Sequence, residues 1–366
     1  MTAAERGRRL IRVYRLARER LALRRTCGSR IVYLGGQGDD NLGDEAMLEA
    51  ARGLLPESEL VSFAYAGQER QLALLGLSGS RYFDSAILGG GTLINPHWVE
   101  ATRTVIRLGL PVWTLGTGVG SSGFGHPQQV EIGEWRDLLD MFRSIGVRGP
   151  LSKARLEDLG VEPAVEVVGD LALGLAANSA VEPADPPRIA LNVSLPASGR
   201  VESDLEGAIA EVEVSVRELV QGGWDVVPVA MHRSDVEPLR RLVAAVAGKE
   251  TVVQPAETIR AFHDVVGPCS LLVGVRLHSA VLASCTGVPS ILLGYRDKCL
   301  DFLQSMDMTE FHVDVSRRAG GEIANVIRRA AEIPREFRDT VLRRAISWKV
   351  RLEQYINRNE LVRRTG

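Results

Sequence analysis

At 366 residues, 45% of them hydrophobic, the chain is too long for one ordinary domain and long enough for two, each with its own core. Its 44 Lys and Arg against 46 Asp and Glu leave a net charge of -2, so nucleic-acid binding has no whole-chain electrostatic basis and basic character must be regional. Cys27, Cys269, Cys285 and Cys299 form no CxxC pair and no metal-ligand spacing, so neither a disulfide framework nor a bound metal is expected and the compartment reads as reducing.

No apolar run approaches the roughly 20 residues that span a bilayer, and the N-terminus lacks the apolar core of a signal peptide. A cytoplasmic protein is expected. Residues 1–29 form a basic helix candidate, in which arginines from Arg6 to Arg25 are interleaved with Leu10, Ile11, Val13, Tyr14 and Leu16. A solvated helix packed on the domain or on a partner chain is slightly favoured over a peripheral helix on the anionic inner membrane surface.

From residue 30 to 180, short apolar runs alternate with helical patterns. The expected strands are Arg30 to Leu34, Glu59 to Phe63, Ser85 to Leu88, Pro111 to Leu115, Ser144 to Val147 and Val165 to Val168. Such alternation implies a parallel, doubly wound sheet. The proline-rich run from Val181 to Pro187 reads as a linker. A second alternation over residues 188–333 has strand candidates at Arg188 to Val193, Trp224 to Val229, Thr251 to Val253, Leu271 to Val275 and Ser290 to Leu293. The expected fold class is therefore α/β, with two Rossmann-like domains facing across a cleft. Residues 334–366 read as a polar helical segment returning over the first domain.

Loops that follow strands in such sheets emerge on one edge, where ligands bind. In the first domain these are Gly35 to Glu45, Gly89 to Thr92, Gly116 to Gly120, Val147 to Pro150 and Gly169-Asp170. Their glycines permit close backbone approach, and amides at a following helix N-terminus suit an anion. The first loop has Asn41 where a GxGxxG motif needs its third glycine, and it lacks a Gly-Lys-Ser/Thr ending, so dinucleotide and Walker-type readings lose support. Asp44 and Glu45 read first as a helix cap and a first-turn acid, with proton acceptance as the minority role. Asp170 either ties down a turn or faces the cleft.

Arg148 ends a strand at this edge, with surface and ligand-binding readings evenly matched. In the second domain the run Leu271-Leu272-Val273 leads into Gly274-Val275-Arg276-Leu277-His278-Ser279, which places a permanently charged fork and a proton-carrying imidazole at one strand end. This favours an anionic small molecule. His97, His126, His232, His263 and His312 carry no ligand spacing.

Taken together, Gly38 to Ala46 (GDDNLGDEA), Gly89-Gly90-Gly91, Gly116 to Gly120 (GTGVG), Val147-Arg148, Gly274 to His278 and Ala283 to Pro289 (ASCTGVP) resemble the polysaccharide pyruvyl transferase family over most of residues 30 to 310. The ordered set is far more specific than any member of it. The resemblance implies a glycosyltransferase-B-like fold, phosphoenolpyruvate as donor substrate with no separate cofactor, and a sugar or glycan acceptor, with lipid linkage of that acceptor left open. It implies donor binding by Arg148, Arg276 and His278. Gly149-Pro150 departs from the acidic residue that relatives often carry after the arginine.

On this basis Arg276 and Arg148 are expected to clamp carboxylate and phosphate, with His278 binding phosphate or protonating the donor methylene. Asp44 or Glu45 is then the candidate base, and Gly38, Asn41, Gly90, Gly91 and Gly118 line the substrate. The alternative is a nucleotide-sugar-dependent glycosyltransferase or epimerase of the same two-domain plan.

Overall fold

The computed structural model describes residues 29–38, 40–62, 83–120, 132–195, 200–248, 251–359 and 361. The basic segment 1–28, Asp39 and His126 lie outside the described residues. The first unit runs β1 (Ser29–Leu34), α1 (Leu42–Leu54), β2 (Ser58–Ser62), β3 (Ser85–Leu88), β4 (Gly91–Ile94), α2 (Val99–Arg107), β5 (Val112–Val119), α3 (Trp135–Leu139), β6 (Ser144–Val147), α4 (Pro150–Leu159) and β7 (Val165–Val167). The second runs β8 (Arg188–Asn192), α5 (Arg200–Gln221), β9 (Asp225–Pro228), α6 (Val236–Ala247), α7 (Ile259–Val266), β10 (Leu271–Gly274), α8 (Leu277–Ser284), β11 (Ser290–Gly294), α9 (Asp297–Ser305), β12 (His312–Asp314), α10 (Glu322–Ala331) and α11 (Phe337–Arg358).

Both sheets are parallel throughout. The first has the order β2-β1-β3-β5-β6-β7 with β4 added beside β5, and the second has β12-β11-β10-β8-β9. β1, β3, β10 and β11 are buried along their whole length, because helices cover both faces and leave no solvent side on which a polar alternation would help. The strand order reverses between β1 and β3 in one sheet and between β8 and β10 in the other, so each sheet opens a crevice at the carboxyl ends of those strands.

Three local expectations change. β5 runs on to Val119, so the GTGVG segment is strand rather than loop, bent where Gly116 adopts φ 68° and lies against the 169–171 turn. β4 and β12 span only four and three residues, too short to show a period in the sequence. Thr251 to Val253 forms no strand: Val252 is 81% exposed and only an isolated bridge joins Ala230 to Pro255, whose ring nitrogen has no N–H to extend a ladder.

One apolar core continues from the first sheet into the second. Ala46, Met47 and Ala50 of α1 and Leu171 to Leu173 share it with Ala280, Val281 and Ala283 of α8. The small residues of α8 let it approach closely. α11 returns to the first domain, with Tyr355 against Gly146, its hydroxyl 2.7 Å from Ser144 Oγ, and Trp348 against Gly169. Among the described residues no helix is long and apolar enough to cross a membrane.

Candidate functional site at the carboxyl edges of the two sheets

The loop after β1 is fixed by its own polar side chains. Asn41, rather than Asp44, caps α1: its Oδ1 accepts from Gly43 N at 3.2 Å and its Nδ2 donates to Asp44 Oδ2 at 2.7 Å. Glu45 Oε1 accepts from Gly38 N at 2.7 Å, where Gly38 turns with φ 89°. Asp44 and Glu45 are thus the first-turn acids that complement the helix dipole. This loop also meets the second domain, since Leu42 N donates to Met231 O at 3.0 Å.

A three-residue constellation spans the domain interface. Arg148, 1% exposed, follows β6, and its Nε lies 3.1 Å from Asp170 Oδ2 but is misaligned for a hydrogen bond. Asp170 is fully buried; its Oδ1 caps the turn at Leu171–Leu175 by accepting from Ala172 N at 3.0 Å. His278, at the start of α8 in the other domain, brings Nε2 to 3.7 Å from the same Oδ2. Two of the glycines make this possible. A Cβ on Gly118 would lie 2.5 Å from Arg148 Nη2, and one on Gly43 would lie 2.3 Å from His278 Nδ1. Gly90 gives the same clearance to Met47, while Gly91 opens β4 with φ 101°.

Arg148 Nε and Nη1, Asp170 Oδ2 and His278 Nε2 are all buried without a hydrogen-bond partner among the described residues. Each lacks an aligned hydrogen bond, although Arg148 Nε and His278 Nε2 both face Asp170 Oδ2, at 3.1 and 3.7 Å.

Arg276 is held differently. Its Nε lies 2.8 Å from both oxygens of Asp235, and its Nη2 lies 2.6 Å from Asp235 Oδ1, 2.9 Å from Ser234 Oγ and 3.2 Å from Ser194 Oγ. Asn192 Oδ1 accepts from Arg276 N at 3.1 Å, and Asn192 Nδ2 donates to Val229 O at 2.9 Å. The guanidinium therefore stands at the switch point of the second sheet with one edge tied down. His232 is not a bystander here. It caps the short 233–235 helix, with Ser234 N donating to its Nδ1 at 3.1 Å, and so orients Asp235.

Burial pushes the His278 imidazole down to about 4, with Arg148, Lys298 and Arg276 acting in the same sense and Asp170 opposing. The ring is neutral at neutral pH in the unliganded protein. An arriving anion offsets the surrounding cations and raises its proton affinity. Lys298, on α9, lines the crevice with Thr92, Gly118 and Arg148, makes no ion pair among the described residues and lies 5.4 Å over the Tyr295 ring.

Asp235, Asn192 and Lys298 went unremarked in the sequence. Nothing local distinguishes them, because each gains its role from a partner contributed by another loop. Asp170 was legible as a strand-end acid; it caps a turn and meets Arg148 and His278 at the domain interface. Among the described residues no cluster of three or more His, Cys, Asp or Glu is placed to hold a metal ion.

Residues 41–297 match the family model described as polysaccharide pyruvyl transferase. No curated protein matches the chain significantly. Among solved structures, a Listeria monocytogenes protein assigned as a UDP-N-acetylglucosamine 2-epimerase has a TM-score of 0.62 at 13% identity, covering 92% of this chain and 96% of its own. The S. aureus MnaA–UDP structure gives 0.60 at 11%, over 91% and 96%. The UDP-GlcNAc 2-epimerase of Neisseria meningitidis bound to UDP-GlcNAc gives 0.57 at 11%, over 91% and 99%. At these identities the likeness is one of fold, and it establishes a glycosyltransferase-B-like architecture of two parallel α/β domains.

Proposed function

This chain belongs to the polysaccharide pyruvyl transferase family, and on that premise we propose that it moves the pyruvyl group of phosphoenolpyruvate onto two hydroxyls of a sugar in a glycan or glycan precursor. The observation that carries this reading is the convergence of Arg148 and His278, from different domains, on the buried Asp170, within a ring of cations that includes Lys298 and Arg276. Such a ring suits a compact ligand bearing both carboxylate and phosphate. Arginine forks match either group through paired hydrogen bonds, and Lys298 adds a point charge.

Arg148 and Arg276, from different domains, hold the two anionic ends, so the donor is gripped only when the domains are together. Donor charge raises the His278 proton affinity, and the imidazolium gives its proton to the donor methylene carbon, leaving C2 electrophilic. One sugar hydroxyl adds to C2, the C2–O bond to phosphate breaks, and the second hydroxyl closes the cyclic ketal. Of the two hydroxyl protons, one replaces that taken from His278 and the other leaves with inorganic phosphate. Asp170 holds the imidazole in place. Asp44 and Glu45 remain the candidate bases that take the first hydroxyl proton and pass it on to restore His278, each released from its loop hydrogen bond as the acceptor sugar enters.

Phosphate release and ketal formation by the purified protein test the reaction, alongside Arg276→Ala and His278→Ala. Both substitutions are expected to cut turnover by about 100-fold or more. Undiminished activity in both removes the proposed site. Thermal protection by UDP-N-acetylglucosamine with no response to phosphoenolpyruvate would instead favour a nucleotide-sugar enzyme.

A further inference from the structure

The N-terminus of α4, directly after Arg148, is where free amides invite a ligand anion. In this protein that position is filled from the other domain. Asp301 of α9 is 2% exposed, and its Oδ1 accepts from Leu151 N at 2.8 Å and Ser152 N at 3.3 Å. Its Oδ2 accepts from Ser152 Oγ at 2.6 Å. The same hydroxyl accepts from Val119 N at 3.2 Å, so one carboxylate joins α9 to both α4 and the end of β5. Gly149 leaves the space: a Cβ there would lie 2.2 Å from Asp301 Oδ1. Arg155 and Asp297 form a second ion pair between the same two helices.

Lys298 precedes Asp301 by three residues on α9, so the two project from the same side of the helix. Anchoring one fixes the other. The crevice that Asp301 closes is the one lined by Lys298, Arg148 and Gly118. A carboxylate this buried is tolerable because the amides and hydroxyl satisfy it and the helix dipole favours its charge.

We propose that Asp301 is a positioning residue: it latches the second domain onto the first turn of α4 and thereby sets Lys298 opposite Arg148, so that cations from both domains face one anion. The proposal rests on the reading of Arg148 and Lys298 as donor-binding cations. It also removes the α4 amides from the set of groups that bind donor phosphate, leaving that task to side chains.

The test is a cycle of Asp301→Ala and Lys298→Ala with phosphoenolpyruvate kinetics, joined to small-angle scattering of the unliganded full chain. Asp301→Ala is expected to raise the donor KM by about tenfold with a smaller change in kcat, and to add little once Lys298 is already Ala. The radius of gyration should increase as the domains separate. Ser152→Ala, which keeps both amide contacts, should move the same quantities in the same direction by less, and it carries the test if Asp301→Ala does not fold. Independent, multiplicative effects of the two substitutions would overturn the proposal, as would an unchanged KM and scattering profile in both Asp301→Ala and Ser152→Ala. If the wild type does not turn over phosphoenolpyruvate, the donor assignment fails, while the scattering comparison still decides whether Asp301 holds the domains together.

Discussion

The Arg276 guanidinium meets the Asp235 carboxylate edge-on, with Nε 2.8 Å from both oxygens, while Asp235 is itself fully buried and also accepts from Met231 N at 3.0 Å and His232 N at 3.2 Å. The pair orients the arginine before any ligand arrives. Its Nε and Nη2 are committed to Asp235, Ser234 and Ser194, leaving Nη1 as the nitrogen with no hydrogen bond among the described residues.

Asp235→Ala should leave a partly desolvated cation and two backbone amides unpaired, costing about 2 to 4 kcal/mol of stability. Asp235→Asn should cost less, because it retains an acceptor. Urea denaturation gives the stability difference, and a rise in donor KM in the Asn variant measures the orientation that Arg276 has lost.

Gly118→Ala and Gly43→Ala probe the site from its two walls. The new methyl groups would meet Arg148 Nη2 and the His278 ring respectively, and both side chains are enclosed. Each substitution should lower stability by about 1 to 3 kcal/mol through overpacking. Gly118→Ala should chiefly raise donor KM, whereas Gly43→Ala should chiefly lower kcat. The reverse partition would exchange the roles given to Arg148 and His278.

His278 is neutral in the folded protein down to about pH 4, whereas an unfolded histidine protonates near 6.5. Between those values the unfolded chain binds more protons, so stability rises with pH through this window and is fully present above it. The half-buried His263 and His312 are shifted in the same direction. A chemical-denaturation series from pH 4 to pH 7 should show rising stability, with a shallower slope in His278→Asn. Donor binding at pH 7 should take up a proton at His278, detectable by calorimetry in buffers of different ionisation enthalpy. Identical heats would argue that His278 stays neutral.

Burial raises the thiols of Cys269, Cys285 and Cys299, that of Cys269 to about 12. In a Cys27→Ser variant, a thiol-specific disulfide reagent at pH 8 should label none of them until denaturant is added, and all three thereafter. Rapid native labelling would show that the α8 and α9 interface opens readily.

The glycine-rich strand ends were legible because parallel sheets demand continuous apolar strands followed by turns on a single edge. Arg276-Leu277-His278 stood out by that rule alone, whereas for Arg148 it left surface and ligand-binding readings evenly matched. The committed inner edge of Arg276 was not visible, because Asp235 is 41 residues away in sequence and reaches it only through the folding of the His232 turn. Lys298 and Asp301 were equally hidden in an ordinary amphipathic helix. Gly149 read as a departure from the family pattern, and the structure shows a carboxylate from the second domain in the space its missing side chain leaves.

The sequence by itself determined the α/β class and the strand-end positions of the arginines and histidine, since these follow from local periodicity and from residues adjacent in the chain, while the family showed as a resemblance carried by an ordered set of motifs. Only the tertiary structure decided which charges neutralise one another and which stay available. That outcome depends on distances of a few ångströms between segments far apart along the chain, and on burial, which depresses the His278 imidazole among cations and packs Arg148 against Asp170.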